Sequence, residues 1–188
     1  MTKHLIFVKH SVPEIEQDRP ANTWKLSEQG RSRARKLAEH LKSFAPQVVL
    51  SSDEPKAKET AEILAGQLQL DVHIMPDLHE HERSNVPYLP HEAFQISMRE
   101  FFQRPDELVF GKETADQAYT RFYRAIHSIL IEHQDKTIVV VTHGTVISLF
   151  VSRLTGSSPF ELWNKLGLPS LVAMDLGSST VIVKDTII

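Results

Sequence analysis

The apolar positions of the chain fall into short unbroken runs separated by amphipathic stretches. Residues 5–8 are four consecutive apolar residues, and residues 47–50 and 136–142 repeat the pattern with β-branched side chains. Runs without alternation are typical of strands that are buried on both faces. A further strand is expected over 71–75 and a closing hairpin over 171–176 and 180–184. We therefore predict a parallel sheet covered by helices.

Helical periodicity occupies most of the chain between these runs. Ser27 and Ser158 have the features of N-caps, and Asp53 is expected to cap the helix that contains Lys56. Further helices are expected over 92–102, 113–133 and 146–154. Strands that alternate with helices predict an α/β fold, and residues 1–188 are interpreted as a single domain. Residues 83–112, interrupted by prolines, are expected to form a lid that bears on substrate specificity.

Composition narrows the functional classes. A formal charge of −3 over 188 residues favours neither nucleic acid nor a membrane surface as partner. The absence of cysteine excludes disulfides, thiolate metal sites and a cysteine nucleophile. No apolar stretch approaches the roughly 20 residues that span a bilayer, and no leader-like segment is evident. We expect a cytoplasmic protein without a membrane partner.

Chemistry-bearing residues follow the predicted strands directly. Lys9 and His10 end the first run, and His143 and Gly144 end the last of the three. Lys56 lies in the first turn of a helix, where a cation opposes the helix dipole unless an anion binds beside it. Ligands of parallel α/β sheets bind at the carboxyl ends of the strands. Two alternative interpretations remain open. Lys9 and His10 could be a charged strand end with a histidine bonded to the backbone, and Lys56 could be a surface lysine.

Two imidazoles and two cations suit a multiply negative ligand such as a phosphoryl group. A neutral imidazole can attack phosphorus, fixed cations stabilise the phosphoryl oxygens, and a carboxylic acid of raised pKa, here Glu80, protonates the leaving alcohol. His79 and His81, with the neighbouring carboxylates, also suggest a metal site. They lack the H-E-x-x-H spacing and an obvious third ligand, so we expect no metal and no cofactor.

These segments, in this order, resemble the histidine phosphatase (phosphoglycerate mutase-like) superfamily. The family motif R-H-G stands here as Lys9-His10-Ser11, and its second histidine motif as Thr142-His143-Gly144. Its other motifs correspond to Leu26–Gly30, Ser51–Ala61, Leu78–Glu80 and Gly111–Thr114 with Arg121. The resemblance covers almost the whole chain, and its specificity comes from the order and spacing of the motifs together.

The resemblance implies a three-layer α/β/α sandwich with a mostly parallel central sheet. It implies that His10 is the phosphorylated nucleophile, that Glu80 donates the proton and that His143 hydrogen-bonds the phosphoryl oxygens. The remaining residues of the implied phosphate pocket are Lys9, Lys56, Ser11 and Gly144. The implied substrate is a phosphorylated small molecule or a phosphoprotein, and no nucleic acid partner is implied.

Three departures from the family pattern bear on activity. Lys9 and Lys56 replace arginines, and Ser11 replaces a glycine. Lysine keeps the charge but lacks the fork by which arginine binds two phosphate oxygens. Three explanations remain open: the pocket is retuned, Arg83 or Arg19 supplies a substrate contact, or the enzyme is impaired. The favoured function is a metal-independent phosphomonoesterase; the alternatives are a phosphate-binding or scaffold protein and a phosphoglycerate mutase-type phosphotransferase.

Overall fold

The computed structural model describes residues 3–178 and 181–184, which form a six-stranded sheet with the strand order β3-β2-β4-β1-β5-β6. The strands are β1 (His4–Lys9), β2 (Val48–Ser51), β3 (Val72–Ile74), β4 (Ile138–Thr142), β5 (Ser170–Asp175) and β6 (Val181–Lys184). The first four are parallel, whereas β5 and β6 are antiparallel and form the predicted hairpin. Its connecting residues 179–180 lie outside the described residues.

The register of β1 and β4 positions the site. Lys9 is paired with Thr142, so the residues that follow them, His10 and His143, leave adjacent parallel strands at the same edge of the sheet. The amide of His10 still donates to the carbonyl of Thr142, at 2.9 Å. The two histidines are therefore adjacent although 133 positions separate them in the sequence.

Six α-helices cover the sheet in the described part of the chain. They are α1 (Glu28–Leu41), α2 (Pro55–Leu68), α3 (His91–Gln103), α4 (Ala115–Glu132), α5 (Gly144–Thr155) and α6 (Pro159–Lys165). The hydroxyls of Ser27 and Ser158 accept from backbone amides and cap α1 and α6 as predicted. Thr114 caps α4 through a capping box with Gln117.

Alternate residues of each central strand face different helical layers. Leu5 and Phe7 of β1 belong to a buried cluster that includes side chains of α4, α5 and α6. Ile6 and Val8 belong to a second cluster with α1 and α2. Both faces of the strand are covered, which is why its sequence shows no alternation. The predicted three-layer α/β fold with a mostly parallel sheet is confirmed.

Two predicted helix starts are wrong. Asp53 does not cap α2, because Glu54 occupies the N-cap position and its carboxylate forms no cap bond. Helix α5 begins at Gly144, directly after His143, and not at residue 146. Among the described residues, no helix combines the length and the apolar character needed to cross a bilayer.

Candidate active site

His10 and His143 form the centre of the site. Their ring centroids lie 5.2 Å apart, with an angle of 60° between the ring planes. Only 7% of His10 and none of His143 is exposed. Burial, assisted by the positive charge of Lys56, holds the pKa of both rings well below the usual value. Both imidazoles are therefore neutral at physiological pH.

The backbone of Ser11 fixes the tautomer of His10. Nδ1 of His10 lies 2.8 Å from the carbonyl oxygen of Ser11. A carbonyl only accepts, so Nδ1 carries the proton and Nε2 keeps its lone pair. The donors of Ser11 itself are engaged elsewhere: its amide donates to Thr60 Oγ1 and its hydroxyl donates to the carbonyl of Gly30. Ser11 thus supports His10 through its carbonyl, and its expected role as a phosphate ligand stays a prediction.

The N-terminus of α5 approaches the site without a side chain. A Cβ atom at Gly144 would lie 3.1 Å from Cε of Lys9, closer than side chains normally pack. Glycine therefore lets the first turn of α5 pass beside the Lys9 stem. Nζ of Lys9 donates to the carbonyl of Leu166 at 2.8 Å, and its charge contributes to lowering the pKa of His10, less than burial does.

Lys56 is buried in the site, as predicted, but it is paired with a carboxylate that the sequence analysis missed. Nζ of Lys56 forms an ion pair with Oε2 of Glu54, and 5% and 8% of the two side chains are exposed. The same ammonium donates to the carbonyl of Ala21 at 2.8 Å. Oε1 of Glu54 accepts the amide of Glu80 at 2.8 Å and lies 3.6 Å from Nε2 of His143. Glu54 is therefore a central member of the site.

Glu80 lies beside His143, but its acidity differs from the expectation. Its two carboxylate oxygens accept the amides of His81 and Thr145, at 2.9 and 3.3 Å. Burial raises the pKa of Glu80. The charge of Arg83, with contributions from His143 and the amide of His81, lowers that pKa by more, so the net shift is downward. The expected raised pKa is wrong, and Glu80 is a carboxylate in the resting protein.

Arg83 enters the site and Arg19 does not. Arg83 lines the same cavity as Lys56 and Glu80. Its Nη1 is buried and, within 3–178 and 181–184, finds no hydrogen-bond partner. Arg19 is exposed and pairs with Glu16 at 3.2 Å. Of the two arginines considered from the sequence, Arg83 is therefore the one placed to bind an anion beside Lys56.

A cavity of about 290 Å³ lies beside the histidine pair, and neither His10 nor His143 lines it. Glu54, Lys56, Glu80 and Arg83 line it, with His79 at its wall. His81 also lines it, and its ring packs against Phe101 and Phe110 at centroid distances of 4.2 and 4.9 Å. Across the described residues, no group of three or more His, Asp or Glu side chains is arranged to hold a metal ion.

A parallel α/β sheet with two neutral histidines at its carboxyl edge, beside buried cations, defines the class of phosphatases that carry a pair of active-site histidines. The chain belongs to the histidine phosphatase superfamily (branch 1), whose family model matches residues 5–184.

Curated relatives agree with this assignment. The chain is 25% identical over 135 residues to the uncharacterized phosphatase PhoE of Bacillus subtilis (strain 168), covering 71% of this chain and 66% of the relative. It is 33% identical over 141 residues to phosphoglycerate mutase-like protein 4 of Arabidopsis thaliana, with 71% and 61% covered. A metal-independent phosphoserine phosphatase of the same plant is 32% identical, with 71% and 59% covered. The chain thus spans about two thirds or less of these relatives.

Solved structures confirm the fold. The chain superposes on a mycobacterial glucosyl-3-phosphoglycerate phosphatase with a TM-score of 0.75 at 19% identity, covering 98% of both chains. It superposes on an Entamoeba histolytica phosphoserine phosphatase mutant with a TM-score of 0.77 at 18% identity, covering 97% of this chain and 95% of the other. At these identities the comparison establishes the fold alone.

Proposed function

We propose that the protein is a metal-independent phosphomonoesterase that acts through a phosphohistidine intermediate on His10. The observation that carries the proposal is the hydrogen bond from Nδ1 of His10 to the carbonyl of Ser11, at 2.8 Å. It leaves Nε2 of a neutral ring as a nucleophile beside His143 and near a buried cation. The phosphatase relatives support the same class of reaction.

In the first step, Nε2 of His10 forms a bond to phosphorus while the bond from phosphorus to the ester oxygen breaks. The leaving oxygen takes a proton and departs as the alcohol. In the second step, water attacks the phosphohistidine, its proton is removed, and inorganic phosphate leaves as His10 regains its lone pair. The positive charges of Lys9, Lys56 and Arg83 and the imidazole of His143 stabilise the phosphoryl oxygens in both steps.

The proton for the leaving group needs a source, because Glu80 rests as a carboxylate. A phosphate monoester that still carries one proton, whose pKa is about 6, brings that source with it. Glu80 accepts this proton from the phosphoryl group and passes it to the leaving oxygen. In the second step it accepts a proton from water and returns it to the departing phosphate. The carboxylate thus relays protons without a raised pKa.

The pocket size supports a small molecule over a phosphoprotein. A cavity of about 290 Å³ holds a phosphoryl group with a modest organic part. Segment 83–112, which contributes Arg83 and Ser84 to the cavity wall, acts as the predicted lid in this proposal.

A second candidate is a protein that binds phosphate without turning it over. The observation that favours it is the ion pair between Lys56 and Glu54, because this pair reduces the positive charge available to a phosphoryl group. A phosphoglycerate mutase-type transfer is the third candidate, supported by the similarity to the phosphoglycerate mutase-like relative.

The experiment compares wild type with His10→Ala, and with His73→Ala as a control at an exposed histidine on β3. Each protein is given p-nitrophenyl phosphate, with a chelator present, and the acid-labile phosphate on the protein is measured after quenching. We expect wild type and His73→Ala to turn over and to become labelled, whereas His10→Ala does neither. Turnover by His10→Ala refutes the mechanism. Binding of phosphate by wild type without turnover of any of a panel of esters favours the second candidate.

A further inference from the structure

A second cavity adjoins the candidate active site. Its volume is about 260 Å³, and Ala21 and Arg83 line both cavities. Most of its lining residues carry apolar or aromatic side chains, among them Ile15, Trp24, Val86, Tyr88, Leu89 and Phe94, and Arg19 and His91 also line it. Arg83 lies between the two spaces, with its guanidinium 4.9 Å from the ring centroid of Phe94. A ligand whose anionic group reaches Arg83 from the first cavity therefore has an apolar space directly beyond it.

The charges of the first cavity restrict what else that ligand can carry. Four carboxylates line it, from Asp53, Glu54, Glu80 and Glu82, against two permanent cations, Lys56 and Arg83. Glu54 already pairs with Lys56. A second anionic group held in the first cavity would meet these carboxylates without a further lining cation there, and like charges at short range are repulsive.

We propose that the site takes phosphate monoesters whose organic group is apolar and carries no further negative charge close to the phosphoryl group. This rests on the proposed function and specifies its substrate class. The phosphoryl group lies among Lys56, Arg83 and His10, and the organic group passes Arg83 into the apolar cavity. Glu54 is the specificity-determining residue of the first cavity, because its carboxylate reduces the positive charge there.

The first arm of the test measures binding rather than turnover, so it is independent of the phosphohistidine step. Dissociation constants of phenylphosphonate and methylphosphonate are measured by calorimetry. Burial of the ring predicts at least about tenfold tighter binding of phenylphosphonate. Leu89→Asp in the apolar cavity removes most of this preference. Leu108→Asp, at a leucine of the same segment that is 61% exposed and does not line the cavity, retains it.

The second arm isolates charge with two ligands of similar shape, propylphosphonate and 2-carboxyethylphosphonate. We expect wild type to prefer propylphosphonate by about tenfold, because the carboxylate meets Glu54 and its neighbours. Glu54→Gln replaces the carboxylate with an amide of similar volume and should reduce the preference for propylphosphonate to about threefold. Glu62→Gln, an exposed carboxylate on the same helix α2, leaves the preference as in wild type.

The outcomes separate this proposal from the one on which it rests. If inorganic phosphate binds but phenylphosphonate and methylphosphonate bind equally, the apolar cavity is not a substrate subsite, while the proposed function stands. If the carboxylate-bearing ligand binds as well as its neutral counterpart, the exclusion of further negative charge is wrong. If neither inorganic phosphate nor any phosphonate binds, both proposals are wrong.

Discussion

The carboxylate of Glu54 and the ammonium of Lys56 form an ion pair that is almost fully buried at the start of helix α2. The two residues are separated by a single position, yet their other contacts are distant in the sequence. Lys56 also donates to Ala21, and Glu54 accepts the amide of Glu80, 26 residues further on. The pair therefore links the first loop, the start of α2 and the segment that carries Glu80.

Removing one partner of this pair is expected to cost more than removing both. Lys56→Met leaves Glu54 buried beside uncompensated carboxylates and should lower the free energy of unfolding by about 3 kcal/mol. Adding Glu54→Gln should recover at least half of that loss, because no buried charge is then left unpaired. Urea denaturation of the two single variants and the double variant measures the coupling. A loss in the double variant equal to the sum of the two single losses would show that the pair is not coupled.

Restoring the family arginines is expected to lower activity rather than raise it. Lys56 is only 4% exposed and already contacts Glu54 and Ala21, so a guanidinium needs space that these groups occupy. The Lys9 stem packs closely against Gly144. We expect Lys9→Arg with Lys56→Arg to reduce kcat/KM on the order of tenfold, through crowding. Arg35→Lys, at an exposed site on α1, is the control for an arginine–lysine exchange. Tighter phosphate binding by the double arginine variant would contradict this and show that the pocket accommodates lysine but still binds phosphate better with arginine.

The resting charge of Glu80 predicts the pH dependence of kcat/KM. The pKa of His10 is held well below its usual value, mainly by burial, so this nucleophile is neutral at physiological pH. The proton for the leaving group comes with the monoanionic ester, so kcat/KM should fall about tenfold per pH unit above the second pKa of the substrate, about 6. Profiles are measured with two esters that differ in this pKa. The falling limb should move with the ester; a limb that stays fixed would assign the acid to the protein.

The sequence predicted the parts of the site that depend on strand ends. Unalternating runs located β1 and β4, and the residues after them, His10 and His143, lie together as predicted. Lys56 was identified because a cation in the first turn of a helix is unfavourable without an anion nearby. That anion is Glu54, within the described structure.

The remaining features depend on contacts between distant segments. The sequence does not identify Glu54 as a site residue, because a carboxylate at the start of a helix is common. The hydroxyl of Ser11, which the family glycine lacks, donates to the carbonyl of Gly30 in a distant segment. The lowered pKa of Glu80 arises from the charge of Arg83, whose approach no local pattern predicts.

The stability of the protein is expected to depend on pH through His81. Burial, together with the charge of Arg83, lowers the pKa of His81 from 6.5 to about 4. Between these values the unfolded state binds more protons than the folded state, so the free energy of unfolding falls as the pH falls from 6.5 towards 4. From pH 7.5 to 5.0 this single residue should account for a loss of about 2 kcal/mol. His81→Leu keeps an apolar contact with Phe101. Over the same pH range, urea denaturation should show that its free energy of unfolding falls by about 2 kcal/mol less than that of wild type. The pH dependence of stability that is due to His10 and His143 should persist in this variant. An identical pH dependence in both proteins would show that His81 titrates normally in the folded state.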